Sequence, residues 1–371
     1  GLDRNRLRHT AVAAAVVVAA VALSPLGERL WALTDIDDGV VAGRIDEWQV
    51  GADAFVHAGA GGLIGYGPEG YRIVFGEFVD EQYVIDYGRT AITDRAHNSL
   101  LDAALAGGWA AGVGLAILHG GIAAVAWRAL RRGDRLDAGM GAGVLAYGVQ
   151  QLFLFPLAEV DLAFWVVAGV VVARAGGNRP VIVEHWAPIA RPLGITAAAL
   201  AIVAAAAGFF DVAADHRVDT AQKSADASVA EDAAGLRPDS IRYAFIASRL
   251  SESPDAALAR LNDGLDISPL DPALRTEQAS VLLDRARLTD REDHLAEALD
   301  ALEALSRDDP HHPESQLRLG VARALAGDDA GAVVALAHAA ELAPTNTEPL
   351  VNLAVVHLEA GHLSDALTAL D

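Results

Sequence analysis

The residues best suited to chemistry form one stretch, Thr93-Asp94-Arg95-Ala96-His97-Asn98-Ser99, directly before a long apolar run. It sets a fixed cation, an imidazole and a carboxamide side by side. Such groups at a membrane face are costly to desolvate, so their position makes them a functional candidate. A structural role is equally open: Arg95 anchoring in lipid headgroups, with His97 and Asn98 capping the helix that begins at Ser99. Elsewhere the chemistry is thinner. His57 and His119 are single histidines without ligand spacing, His311 and His312 read as a solvated turn, and Glu159 and Asp161 as a short connection. No histidine–carboxylate set has metal-site spacing, so neither metal nor cofactor is expected. Gly65 to Gly70 lacks the strand–glycine–helix context of a nucleotide site.

The elements that must position this cluster are read from hydrophobicity and charge. Of 371 residues, 53% are hydrophobic, yet the net charge is −22. Those values fit a chain whose apolar and acidic residues are segregated. From Asp211 onward there are 30 acidic and 13 basic residues, a net −17, leaving −5 for the first 210. An acidic balance excludes a nucleic-acid partner, which needs a basic stripe. The absence of cysteine excludes disulfides and thiol chemistry.

Runs of about 20 apolar residues can cross a bilayer as helices. The runs at 10–26, 103–130, 138–158, 162–173 and 193–210 predict five spans, the fourth becoming long enough if its helix starts near Pro156 with Glu159 and Asp161 in the outer interface. Arginine clusters at 4–8, 128–135 and 174–191 all fall on one side of that alternation, the cytoplasmic side by the positive-inside rule. Residues 27–98 and everything after Asp211 are then extracytoplasmic. The segment before Thr10 reads either as a signal peptide or as an internal start following earlier transmembrane helices; the second is the preferred reading. The 27–98 loop is too long and too rich in aromatics for a mere connector. A helix is expected over 46–58, and Gly65-Tyr66-Gly67-Pro68-Glu69-Gly70 is a tight turn. Residues 211–236 are expected to be a stalk or linker.

From residue 237 the chain repeats. Leu319-Gly320, Ala322, Gly327, Ala332, Ala339 and Pro344 recur 34 residues later as Leu353-Ala354, Gly361 and Ala366. Earlier copies carry Ala257, Gly264 and Pro269, then Ala298, Leu305 and Pro310. The spacing resembles tetratricopeptide (TPR) repeats, with a seven-residue insertion between Pro269 and Pro310. Further repeats or a capping helix are expected to follow Asp371.

Arg95-x-His97-Asn98 at the head of a glycine-rich span also resembles the signature of the O-antigen ligase and O-antigen polymerase superfamily. Arg44-x-x-x-Trp48, the 63–71 turn, and Phe164-Trp165 with Gly169 resemble further motifs of that family in the same order, over about residues 10–175. The pattern departs at Ala106-Gly107-Gly108, where the family commonly has an acid before the glycines; Asp102 is the nearest. The resemblance implies an all-α, partial GT-C-like polytopic bundle in the bacterial cytoplasmic membrane, followed by an extracytoplasmic TPR solenoid. It implies a metal-independent transferase moving glycan from an undecaprenyl-diphosphate carrier to an acceptor, with the TPR groove holding a protein or glycan. On that reading Arg44 and Arg95 hold the diphosphate, assisted by Arg89 or Arg72, His97 serves the acceptor hydroxyl, and Asn98 and Trp48 contact substrate. The alternative is a non-catalytic membrane-anchored TPR scaffold for cell-envelope assembly, and a flippase is a third possibility.

Overall fold

The computed structural model describes residues 39–57, 61–89, 93–131, 135–154, 158–176, 183–224 and 226–370. The first expected span, 10–26, lies outside them. Every regular element among the described residues is helical.

The described part of the aromatic-rich loop is mostly helical. Helices α1 (Gly39–His57), α2 (Gly61–Ile64), α3 (Gly70–Phe78) and α4 (Glu81–Tyr87) precede the long α5 (Ser99–Arg131). Tyr71, Val74, Phe75, Tyr83 and Val84 from α3 and α4 are buried against Val50 and Ala54 of α1 and Leu105 of α5. Asp80 caps α4 by accepting from the Tyr83 amide at 2.7 Å. The glycine-rich turn has a partner that sequence spacing did not reveal. The Tyr66 and Gly67 amides donate to the carbonyls of Leu105 and Ala106 at 2.7 and 3.0 Å. There α5 breaks at Gly107 and Gly108, the latter at φ +70°. A Cβ on Gly108 would lie 2.2 Å from the Leu63 carbonyl oxygen. The glycine pair is thus a seat for the turn.

Among the described residues one helix, α5, is long and apolar enough to cross a bilayer. The five-span expectation is therefore supported at one span. The run at 138–158 is cut short because α6 (Arg135–Gln150) ends after 16 residues. Gln151 leaves the helix so that its carbonyl accepts from the Ser99 amide at 2.9 Å, and its side chain bonds the Ser99 hydroxyl. Helix α7 (Ala158–Gly176) includes Glu159, Asp161 and Arg174 in its 19 residues. Helix α8 (Val183–Ser224) continues the fifth run straight into the expected linker. That linker is not a separate stalk. Ala214, Val218 and Ala221 of α8 are buried against Ala230 and Ala233 of α9 (Ala227–Leu236), with Tyr243 and Ala247 beyond. Small residues at helical spacing let these helices touch.

Four hairpins follow: α10 (Ile241–Arg249) with α11 (Pro254–Ile267), α12 (Pro272–Thr289) with α13 (Glu292–Asp308), α14 (Pro313–Leu325) with α15 (Asp329–Leu342), and α16 (Glu348–Glu359) with α17 (Leu363–Leu370). Each helix packs on the next, as a solenoid requires. Gly320 is small because a Cβ there would lie 2.6 Å from Leu336 Cγ; Gly264 faces Leu274 in the same way. Prolines stand in the first turn of α11, α12, α14 and α16, where the missing amide costs nothing. The seven-residue insertion does not loop out. It lengthens both helices of its hairpin, to 18 and 17 residues against 13 and 14 in the next.

Candidate functional site

The turn before α5 is built by short-range polar contacts. Asn98 accepts from the Leu100 and Leu101 amides at 3.1 and 3.2 Å, capping the helix as the structural reading foresaw. Its amide group donates to the Leu152 carbonyl at 3.1 Å. Asp102 accepts from the Ala96 amide at 2.8 Å and closes the turn from inside the helix. His97 sits at φ +52°, a left-handed conformation uncommon for a residue with a side chain. Arg95 pairs with Asp94 at 3.6 Å.

Two of the sequence candidates converge. Arg44 donates to Glu47 Oε2 at 2.7 Å, and His97 Nδ1 lies 3.1 Å from that same oxygen. Glu47, which the motif did not single out, is the carboxylate that joins them; its i, i+3 spacing from Arg44 on α1 was the available signal. Burial and the nearby Glu47 charge push the Tyr83 phenol up to about 12, and Tyr71 is raised for the same two reasons. Both phenols are therefore neutral donors, and the Tyr71 hydroxyl donates to the Glu47 carbonyl at 2.9 Å. Trp48 stands against Phe153, ring centres 5.6 Å apart.

Arg72 and Arg89 do not join this group; both reach the C-terminal hairpins. Arg72 donates to Asp271 at 3.0–3.1 Å, and Asp271 also caps α12 through the Leu274 amide at 3.0 Å. Arg89 bonds Asp309 at 2.7 Å, with side chains 6% and 13% exposed, and its guanidinium lies 5.1 Å from the Phe75 ring centre. Gly76 lets α3 approach, since a Cβ there would meet the Asp309 carboxylate at 2.5 Å. Leu342 of α15 enters the α1–α5 core. The 39–98 segment is thus clamped onto the hairpins by two ion pairs that each bridge about two hundred residues of sequence.

Charge at this clamp is sensitive to burial. Asp309 is raised by desolvation, which Arg89 offsets, and His312 is lowered to about 4 by burial and then by Arg89. His312 caps α14 by accepting from the Ser315 amide at 3.2 Å, which requires an unprotonated nitrogen. Because the fold favours neutral His312, its contribution to stability is complete above pH 6.5 and declines as pH falls toward 4. A loss of about 2–3 kcal/mol between pH 7 and pH 4 is expected from this group. Denaturant midpoints across that range should show a shallower fall for His312→Asn, which keeps a cap acceptor without the titration.

N-caps and first-turn prolines recur in successive hairpins, and the small residues Ala257, Ala298, Ala332 and Ala366 step by 41, 34 and 34 residues. The C-terminal unit is a TPR-like repeat array. Among solved structures, the chain is similar to MamA 41-end from Desulfovibrio magneticus RS-1 at 13% identity and TM-score 0.39, over 43% of this chain and 91% of that one. It is similar to TTC0263, a thermophilic TPR protein of Thermus thermophilus, at 21% and 0.34 over 46% and 84%. It is similar to YrrB, described as a TPR protein with an unusual peptide-binding site, at 16% and 0.36 over 44% and 81%. These overlaps are partial, and the assignment of the TPR-like array rests on its own hairpins. No family and no curated protein matches the chain.

Proposed function

We propose that this chain is a membrane-anchored scaffold whose TPR-like array presents a binding cleft for an extended protein segment. The observation that carries this reading is the double clamp, Arg72–Asp271 and Arg89–Asp309, which commits two expected substrate ligands to joining the repeats to the segment before α5. Anchoring is supported by apolar side chains left exposed along α5 and α8, such as Ile117 at 70% and Ile202 at 70%, a surface that lipid would cover. Extracytoplasmic placement of both the 39–98 segment and the repeats belongs to this proposal: it rests on the arginine clusters at 128–135 and 174–191 and needs an even number of crossings between residues 98 and 211, of which α5 is one. Between the 65–70 turn and the first hairpin lies a cleft of about 1000 Å³, lined by Tyr66, Ile73, Phe245, Ile267 and Leu270 among charged groups. An extended peptide could bury apolar side chains there and hydrogen-bond the rim.

A photoreactive residue in place of Leu270 should cross-link a protein partner in native membranes, and Phe245→Asp should abolish that product. Cross-linking that persists in Phe245→Asp would put the partner elsewhere and remove the cleft from the proposal.

One observation favours the transferase reading as a second possibility: Arg44 and His97 share Glu47, and His97 holds a strained backbone conformation of the kind found at functional sites. With Nδ1 held by the carboxylate, Nε2 would serve an acceptor hydroxyl while Arg44 and Arg95 met a diphosphate. On that reading, Arg44→Ala, Arg95→Ala and His97→Ala should each slow transfer from a lipid-diphosphate glycan by about 100-fold or more. Rates within about twofold of the parent would leave the scaffold standing alone.

A further inference from the structure

Glu81 opens α4, while His338 and Glu341 lie one turn apart on α15. The two elements are 257 residues apart in sequence, yet one ligand atom from each of the three side chains falls within 4.8 Å of the others. Their arrangement is more than a meeting of acids. His338 Nε2 donates to the Pro310 carbonyl at 3.2 Å, which fixes the ring and turns Nδ1 away from that carbonyl. Nδ1 is the nitrogen that faces Glu341, at 3.8 Å. A backbone carbonyl fixing the remote ring nitrogen is how metal-bound imidazoles are held in one tautomer. Two carboxylates and an imidazole meet here at a contact between elements, gathering negative charge in a chain already at −22. A divalent cation would neutralise it. We propose that Glu81, His338 and Glu341 form a binding site for a divalent transition-metal ion of the zinc class, which staples α4 to the TPR-like array beside the Arg89–Asp309 pair.

An imidazole with two carboxylates matches the nitrogen–oxygen sets that hold zinc, whereas magnesium and calcium prefer oxygen alone. Three protein ligands leave a fourth position for water. The site does not depend on which functional reading holds, because it touches neither the cleft nor His97.

The test is a calorimetric titration of the full-length chain in detergent with zinc chloride, with cobalt(II) absorption as a spectroscopic check. A second histidine cluster, His357, His362 and Asp365, lies in the last hairpin. The background variant is therefore His357→Ala with His362→Ala. In that background the chain should bind one zinc ion, and the cobalt-loaded form should show the strong visible bands of a four-coordinate site. His338→Ala should abolish both signals. Glu81→Gln, an exposed and conservative change, should weaken binding by about tenfold or more. Zinc should also slow amide exchange in α4 and α15 together. Unchanged binding in His338→Ala would overturn the site. Unchanged binding in Glu81→Gln, or protection confined to α15, would overturn the staple. Calcium competing with zinc at equal concentration would overturn the metal class.

Discussion

Arg89→Ala should destabilise the chain by about 3–5 kcal/mol, far more than loss of any exposed arginine. The reason is the partner left behind. Removing one member of a buried pair strands the other without compensation, whereas solvent-facing pairs are worth about 1 kcal/mol or less. Asp309 is 13% exposed and already raised by desolvation, so without Arg89 it must take a proton or draw in water. The guanidinium also leaves the face of Phe75. The check is a double-mutant cycle by denaturant unfolding. Arg89→Ala and Asp309→Ala should each be costly, while the double variant should recover a large share of the loss. Arg287→Ala is a control, because its 3.8 Å pair with Asp284 is solvent-exposed on both sides, and it should change stability by less than about 1 kcal/mol.

Gly108→Ala should be the second large effect, on the order of 3 kcal/mol or more. Two terms add. Gly108 sits at φ +70° and ψ −169°, a region essentially reserved for glycine, so a Cβ there adds about 1–3 kcal/mol of strain. The new atom would also stand 2.2 Å from a backbone oxygen, that of Leu63, which cannot rotate away as a side chain could. Either the 65–70 turn leaves its seat or α5 straightens; both lose the Tyr66 and Gly67 amide bonds. Amide exchange at those two residues should therefore rise with the loss of thermal stability. Gly114→Ala lies six residues further along α5 with nothing within 4 Å of the new Cβ, and it should shift stability by no more than about 1 kcal/mol.

Both effects explain what sequence could and could not reveal. Local rules read well: the 27–98 loop is too aromatic for a connector, and among its described residues Tyr71, Phe75 and Tyr83 are buried in one core with Trp48, Phe55, Tyr66 and Phe78 packed against it. The repeat positions were legible because Gly264, Ala298, Gly320 and Ala332 are small for a steric reason that recurs with the hairpin. Gln150 and Gln151 were read as part of an uninterrupted uncharged run, because counting charges overlooks a buried amide that ends a helix. Long-range pairing was illegible for a different reason. With 50 acidic residues and 28 basic ones, each arginine has many possible partners, and nothing local singles out Asp271 for Arg72 or Asp309 for Arg89. The glycine turn and the glycine pair were both visible as sequence features, but their fit needed the fold. In the 93–99 cluster, Asn98 caps α5, a role the sequence leaves open beside substrate contact, while His97 meets Glu47 across fifty residues of sequence.

A scaffold of this kind requires the 39–98 segment to lie against the repeats. The chain has no cysteine, so Glu81→Cys with Glu341→Cys introduces two thiols at exposed positions on facing elements, where the native carboxylate oxygens lie within 4.8 Å of each other, and leaves both clamp pairs intact. In the full-length protein under mild oxidation, this pair should form an intramolecular disulfide rapidly and nearly completely. Two thiols that both react with a small maleimide yet never bond to each other would contradict the docking, and with it the scaffold built upon it.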